Sequence, residues 1–262
     1  MVTQPGAHSV ADLNKFLDLL CRVVFTGGVS RAKDARTDRS SSTRDAILAA
    51  AERLFVEFGM HAVSNRQISE AAGQRNNAAA CYHFGSRAEL LRAIEAKHRL
   101  AIDDIRIRKL GEIDGDAQLR DWIGVLVYPL TEHLEQLGTP TSYARFAAQA
   151  MADPTYRDLV VADALTSQLM RKTVRGISRC LPERPKQVRL GRWMMATNLL
   201  MHTCAEIEGE LAVARPSVSS NWSVVAEELI AALTGLWEAV PVRLGSAALT
   251  RPDRDVACSI TA

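Results

Sequence analysis

The stretch from Val63 to Leu91, VSNRQISEAAGQRNNAAACYHFGSRAELL, constrains this chain most, because it packs three helix signals into very few residues. Ser64 is followed three positions later by Gln67, the spacing at which a hydroxyl caps a helix N-terminus and an amide side chain returns to the cap's own N–H. Val63 before that cap and Ile68 after it stand where a hydrophobic staple closes, so the spacing predicts a helix from about Asn65. Gly73 can take the left-handed conformation that ends it. The small-residue run Ala78, Ala79, Ala80 then favours a short second helix over about Asn77 to Tyr82. Ser86 with Glu89 repeats the capping-box spacing and opens a longer third helix. Two short helices joined by a tight glycine-containing turn match the helix-turn-helix pattern.

With 262 residues and 47% hydrophobic content, the chain has room for a small domain and a larger one. Its net charge of +2 is too mild to imply nucleic acid by itself. The local balance says more: from Arg31 to His98, 11 Lys/Arg stand against 8 Asp/Glu, so a modest excess of positive charge falls on the helix-turn-helix. Cys21, Cys81, Cys180, Cys204 and Cys258 are odd in number and contain no CxxC pair, which argues against a disulfide framework and a structural zinc site. No apolar run approaches the roughly 20 residues of a bilayer span. Val10 to Phe25 is interrupted by Asp12, Asn14, Lys15, Asp18 and Arg22, so neither a membrane span nor a signal peptide is expected, and the expected location is cytoplasmic.

Taken in order, Val10, Leu13, Phe16, Leu17, Leu20 and Val24 fall at helical spacing within a leader, 1–40, expected to be flexible, with room for a short helix and a basic arm. Ser42 and Asp45 offer a cap, after which Ile47, Leu48, Ala51, Leu54, Phe55 and Phe58 form an apolar stripe ending at Gly59. From Arg87 a helix is predicted to about Leu110, closed by Gly111. Five further helical patterns follow at 117–137 (with a kink expected at Pro129), 142–151, 155–180, 187–214 and 222–240. Each stops at glycine or proline, and the residue before proline disfavours helix. Almost nothing reads as a strand, and the tail, 241–262, is expected to be disordered. The fold class is therefore all-α, with a helix-turn-helix DNA-binding domain at 41–88 and a larger helical domain at 89–240, the expected place for ligand binding and dimerisation.

The combination of Ala46 to Gly59 with Val63 to Leu91, above all AGQRNNAAACYHFGSR at 72–87, resembles the N-terminal domain of the tetracycline-repressor (TetR) family of bacterial transcriptional regulators. One departure stands out: Gly73 to Phe84 spans eleven positions where the family's commonest pattern has ten, which places an extra residue in the recognition turn. The resemblance implies that the helix after Gly73 enters the major groove while the one before it crosses the DNA backbone. Arg75, Asn76 and Asn77 then stand at its N-terminus as base-reading candidates, since arginine pairs bidentately with guanine and asparagine with adenine. The alternative for the two asparagines is that they merely cap a turn. Tyr82 and His83 at the far end suit phosphates, as do Ser64, Asn65 and Arg66 at the start of the preceding helix. Arg44 completes the DNA-binding set. Ala78 to Cys81 are small enough for close approach and offer methyl groups to thymine.

In the second half, Leu190, Trp193, Met194, Leu200, Met201, Cys204, Ile207 and Leu211, with Val225, Leu229, Leu233, Leu236 and Trp237, form apolar faces wider than one neighbour within the subunit would cover. By resemblance they pair with their copies in a homodimer. Tyr128, Arg145, Phe146, Gln149, Met170, Trp193, Asn198 and His202 are the candidates for lining a pocket for a small apolar effector, polar groups orienting it and methionines adapting to it. No HExxH, GxSxG or Walker-type glycine run occurs, and His202 with Glu206 at i, i+4 reads better as a polar pair than as half a metal site, so neither enzyme, metal nor cofactor is expected. Two functions remain. The first is a ligand-responsive dimeric repressor on a near-palindromic double-stranded DNA operator. The second is a helical small-molecule binding protein or enzyme whose helix-turn-helix docks a partner.

Overall fold

The glycine and proline breaks predict a string of separate helices, and a computed structural model of the chain, describing residues 38–157, 167–213 and 221–240, has that form. The described residues form nine α-helices and no strand: α1 (Asp38–Phe58), α2 (Asn65–Ala71), α3 (Ala79–Phe84), α4 (Arg87–Gly111), α5 (Leu119–Leu137), α6 (Tyr143–Ala152), α7 (Gln168–Cys180), α8 (Lys186–Ala212) and α9 (Trp222–Glu238). The expected leader helix and the expected tail lie outside the described residues.

α1 already runs at Asp38, well before the expected cap at Ser42 and Asp45. The serine-rich composition of 40–43 reads as linker, yet the segment holds neither glycine nor proline, so nothing stops the following amphipathic helix from extending back through it. Its buried stripe, Ile47, Leu48, Ala51 and Phe55, meets Ile68 of α2 and Leu90, Leu91 and Ile94 of α4 in one core. Burial of each such side chain contributes about 1.5–3 kcal/mol.

α4 leaves that head and enters the body. Its later residues Ile102 and Ile105 are buried, and its last half packs against α5. α5 carries a capping box at Gln118 and Asp121 and continues as one helix through Pro129 to Leu137, where Gly138 turns with φ +75°. α9 lies along α5 and α8 along α6. The expected continuous helix over 155–180 is interrupted instead: Ser167 is extended and its hydroxyl accepts from the Met170 N–H, starting α7 afresh.

The wide apolar face of α9 also differs from expectation. Val225, Leu229, Leu233 and Trp237 are all buried within the subunit against α5 and α8, because α9 turns its stripe inward. On α8, buried Arg192, Ala196, Leu200, Cys204 and Glu208 recur every four residues, leaving Met194, Met195 and Leu199 as exposed hydrophobics.

Helix ends in this body are closed by distant charges. Glu208, 1% exposed, accepts the backbone N–H groups of Ala144 and Arg145, each at 3.0 Å, and so caps the N-terminus of α6. Arg192 donates to the carbonyls of Trp237, at 2.5 Å, and Ala239, closing the C-terminus of α9. Both placements put a side-chain charge against the opposite end of a helix dipole.

α5 and α7 approach so closely that Gly176 has no room for a side chain: a Cβ there would overlap the Trp122 indole. Replacing a mid-helix glycine by alanine ordinarily gains about 1 kcal/mol in helix propensity. Here overpacking wins, and Gly176→Ala is expected to destabilise the fold by about 1–3 kcal/mol in urea denaturation. An unchanged or higher midpoint would show that the α5–α7 contact is loose.

Candidate nucleic-acid interface

The helix-turn-helix is built from local caps and three long-range pins. At α2, Ser64 is extended and accepts from the Gln67 N–H at 3.3 Å, while Gln67 accepts from the Ser64 N–H at 2.8 Å, realising the capping box. Val63 and Ile68 are both buried, as a staple requires. Gly73 takes φ +67°, and the Gln74 N–H reaches back to the Ser69 carbonyl at 3.0 Å, so the helix ends as the sequence suggests. At α4 only half of the expected box forms: Ser86 accepts from the Glu89 N–H, but the Glu89 carboxylate pairs with Arg92.

The first pin is Ser69, which sequence reasoning missed. Fully buried, it donates to the Asn65 carbonyl at 2.9 Å and accepts from the Ala80 N–H at 3.0 Å, so it ties α2 to the first turn of α3. Arg87 is the second. Its guanidinium donates to the carbonyls of Met60 and Val63 and lies 5.1 Å from the Phe55 ring centroid, clamping the α1–α2 loop to α4. The third is Arg44, which donates to the His83 carbonyl at 2.8 Å and covers the Phe84 ring at 4.3 Å. A signal for Ser69 existed only in its place opposite the alanine run; nothing local announces its partners.

α3 begins at Ala79, two residues later than expected, because Asn76 makes the turn. Its side-chain carbonyl accepts from the Ala78 N–H and its main-chain carbonyl from the Ala79 N–H, both at 2.9 Å. Capping is thus the role the structure gives Asn76. Arg75 and Asn77 sit in the same turn, exposed and without a side-chain partner among the described residues. Of the run Ala78 to Cys81, expected to offer methyl groups to thymine, Ala79 and Ala80 are buried and only Ala78 and Cys81 are exposed, because a helix this short needs its small residues for the core. Tyr82 is 82% exposed, its ring edge-on to half-buried His83 at 5.3 Å. Arg66 is exposed but paired with Glu70 at 2.8 Å; that bond and the neighbouring carboxylate hold its guanidinium pKa above the ordinary value. Asn65 is half-buried.

The eight expected effector contacts do not converge. Phe146 stacks on Phe55 at 6.1 Å and Gln149 donates to the Val56 carbonyl at 3.3 Å, so both dock α6 onto α1. Arg145 is held by Glu208 at 3.2 Å and by the Thr141 carbonyl at 2.7 Å. Trp193 meets Trp237 edge-on at 4.8 Å, Met170 is half-buried near the start of α7, and Asn198 and His202 are exposed on α8. The faces involved are already committed: that of Phe146 and Gln149 to α1, Arg145 to Glu208, and that of Asn198 and His202 to the outside. Tyr128 borders a cavity of about 410 Å³, with Lys109, Arg120, Gly124 and Ile230. Its hydroxyl donates to Glu227, and burial, then that bond, push its pKa up to about 12. Cys204 is likewise pushed up to about 12 by burial and by Glu208, so it is an unreactive core thiol. No group of three or more His, Cys, Asp or Glu among the described residues is arranged to hold a metal. No helix among them is long and apolar enough to cross a membrane.

Two family descriptions match the chain: bacterial regulatory proteins of the tetR family over residues 47–94, and a tetracyclin repressor-like C-terminal domain over residues 125–235. Among solved structures, the chain is similar to a tetR-family transcription regulator from Shewanella sp. PV-4, at 17% identity over 74% of this chain and 96% of that one, with a TM-score of 0.48. It is also similar to the TetR-family regulator PfmR from Thermus thermophilus, at 18% identity over 79% of this chain and 99% of that one, with a TM-score of 0.43. No curated protein matches.

Ser69→Ala removes the link between α2 and α3 and leaves the buried Ala80 N–H without its acceptor. The expected loss is about 1–3 kcal/mol of unfolding free energy in chemical denaturation. A loss below about 0.5 kcal/mol would mean that α3 is held by packing alone.

Proposed function

The chain belongs to the tetR family of bacterial regulatory proteins and is a DNA-binding transcriptional regulator, and from that premise we propose that it acts as a homodimeric repressor released from a near-palindromic operator by a small effector. The observation that carries the base-reading part is the exposed pair Arg75 and Asn77 in a turn whose fold is already complete without them. In this reading Arg75 pairs with a guanine and Asn77 with an adenine. Asn76, whose carbonyl is committed, keeps its amide N–H₂ for donation. Tyr82 and His83 contact phosphate beyond them, and Ser64, Asn65 and Arg66 contact it from the start of α2. Arg44 acts mainly by holding α3 in place, since its guanidinium is already engaged. The working division is a DNA-reading head over 41–88 and an effector and dimerisation body over 89–240, with α1 and α4 each crossing a boundary.

Dimerisation is proposed through α8 and α9. Met194, Met195 and Leu199 on α8 and Val224 on α9 are exposed, and Ala231, Ala232 and Gly235 on α9 are small enough to let a second copy approach closely. Two heads held by one such bundle meet successive major grooves only at one separation. An effector releases the operator if it binds better to a body that holds the heads at another. The cavity beside Tyr128 is a place for it, with Lys109 and Arg120 supplying polar contacts.

Three measurements test this reading. Full-length protein is expected to retain duplex from the region upstream of its own gene in a gel shift, more weakly at higher salt. Arg75→Ala is expected to cost about 1–3 kcal/mol and to relax preference at one base pair, while Arg66→Ala weakens all duplexes alike. Equal binding of Arg75→Ala to operator and random duplex at parental strength would remove Arg75 from the interface. For the dimer, Leu199→Glu is expected to shift sedimentation from dimer to monomer; a dimer that persists would place the contact elsewhere.

A further inference from the structure

Where the head meets the body, a chain of polar groups is buried across the seam. His98 on α4 is 4% exposed; its Nε2 lies 2.8 Å from Glu52 Oε2 on α1, and its Nδ1 lies 2.8 Å from His133 Nε2 on α5. The Tyr143 ring of α6 stacks on the His98 imidazole at 3.8 Å and 13°, and edge-on against His133 at 5.7 Å. Four helices thus converge on one imidazole, and the direct link from the head is a single carboxylate.

We propose that His98 is the positioning residue that registers the DNA-reading head on the body, through the hydrogen-bonded chain Glu52–His98–His133. This rests on the regulatory reading above for its purpose, but its geometry stands apart from it. Apolar packing and the polar chain contribute differently to such a register: the Phe55–Phe146 stack at 6.1 Å is non-directional, whereas two ring nitrogens facing a carboxylate and a second ring fix both distance and angle.

The chain has a defined proton content. A carboxylate only accepts, so His98 Nε2 carries a hydrogen and donates it to Glu52. With both rings neutral, His98 Nδ1 is bare and accepts from His133 Nε2–H. Once both rings are imidazolium, two N–H groups face each other across 2.8 Å and the His98–His133 link breaks. The charged and titratable neighbours are Glu52 on α1, Glu95, Lys97 and Arg106 on α4, and Tyr143 on α6, whose hydroxyl donates to Glu95 at 3.4 Å. Burial, then the charges of His98 and Lys97, lower the His133 pKa from 6.5 to about 4. Breaking the chain and admitting water to the buried imidazole returns His133 towards its ordinary value. The docked state is therefore fully favoured above about pH 6.5 and loses ground as pH falls towards about 4, by about tenfold per pH unit for one proton. A second seam contact, His61 with Asp153 at 2.5 Å, also joins a histidine to a carboxylate, which makes a His133 variant necessary to isolate the chain.

The experiment uses the full chain and amide hydrogen exchange read by mass spectrometry, corrected for chemical exchange, at pH 7.5 and 5.5. Peptides covering 47–60 and 143–153 report the seam, and peptides covering 222–238 the body core. In the parent protein, seam protection is expected to drop about tenfold at the lower pH while the core holds. His133→Gln keeps an N–H donor for His98 and cannot titrate, so it is expected to abolish the drop. His133→Leu is expected to lose seam protection at both pH values, and circular dichroism verifies that each variant is folded. Equal drops in the parent and His133→Gln, no drop in either, or a drop shared equally by 222–238 would overturn the proposal. Gel shifts on the upstream duplex under the same conditions separate the two readings. A seam that behaves as expected with no duplex retained at either pH sinks the regulatory function and leaves His98 in place; retained duplex with an insensitive seam does the reverse.

Discussion

Burial of one helix in two cores holds this molecule together. α4, 25 residues long and so about 37 Å from end to end, puts Leu90, Leu91 and Ile94 into the head and Ile102 and Ile105 into the body. Without it the head has little to stand on. α2 has seven residues and α3 six, far below the length at which a helix survives in water by its own hydrogen bonds. Both exist because α1 and α4 give their apolar faces a surface. Arg87, at the first position of α4, adds the clamp to Met60 and Val63 that closes the loop before α2.

Polar groups finish what the apolar stripes begin, and they do so at helix ends. Glu208 serves the N-terminus of α6, Arg192 the C-terminus of α9, Arg44 the last turn of α3, and Ser69 the first turn of α3. An unmet N–H or carbonyl in such places costs about 1–3 kcal/mol, and a buried charge without partners costs more, so each pairing solves two problems together. Arg106 shows the other side of this rule. Its guanidinium is buried, and although Asp103 accepts from it, burial outweighs that carboxylate and lowers its pKa.

What the sequence discloses follows the range of the interaction. The capping box at Ser64, the staple of Val63 and Ile68, the left-handed Gly73 and the cap at Ser86 are local, and all are legible within five residues. The helical string and the family resemblance follow from the same local signals. The start of α1 was hidden because composition suggests a linker where no residue forbids a helix. The displaced start of α3 turns on which of two adjacent asparagines captures the Ala78 N–H, a choice the pattern leaves open. The set of Arg145, Phe146, Gln149, Trp193 and Asn198 dispersed because each partner that claims a member, Glu208, Phe55, Val56 or Trp237, is distant in sequence. Ser69, Glu208 and the Glu52–His98–His133 chain depend on partners 11, 63 to 64, and 35 to 46 residues away, and no local pattern points to them.

The seam between head and body is built differently from the body itself. α9 packs on α5, with Val225, Leu229, Ile230 and Leu233 buried in the same apolar core. Across the seam, the described contacts include directional ones, Glu52 with His98, Gln149 with the Val56 carbonyl and His61 with Asp153, beside two aromatic stacks, Phe55 on Phe146 and His61 on Tyr156. Each directional contact holds well in one geometry and exchanges for water when broken, so its net cost of opening is about 0.5–1.5 kcal/mol, rising for charged partners. In the proposed reading as an effector-released dimer, the heads have to be firm enough to present Arg75 and Asn77 at a set spacing, yet separable by the few kcal/mol that a ligand's preference supplies. An apolar seam as extensive as the α5–α9 contact would be too costly to open for that purpose. A polar one, with a histidine at its centre, lies within reach.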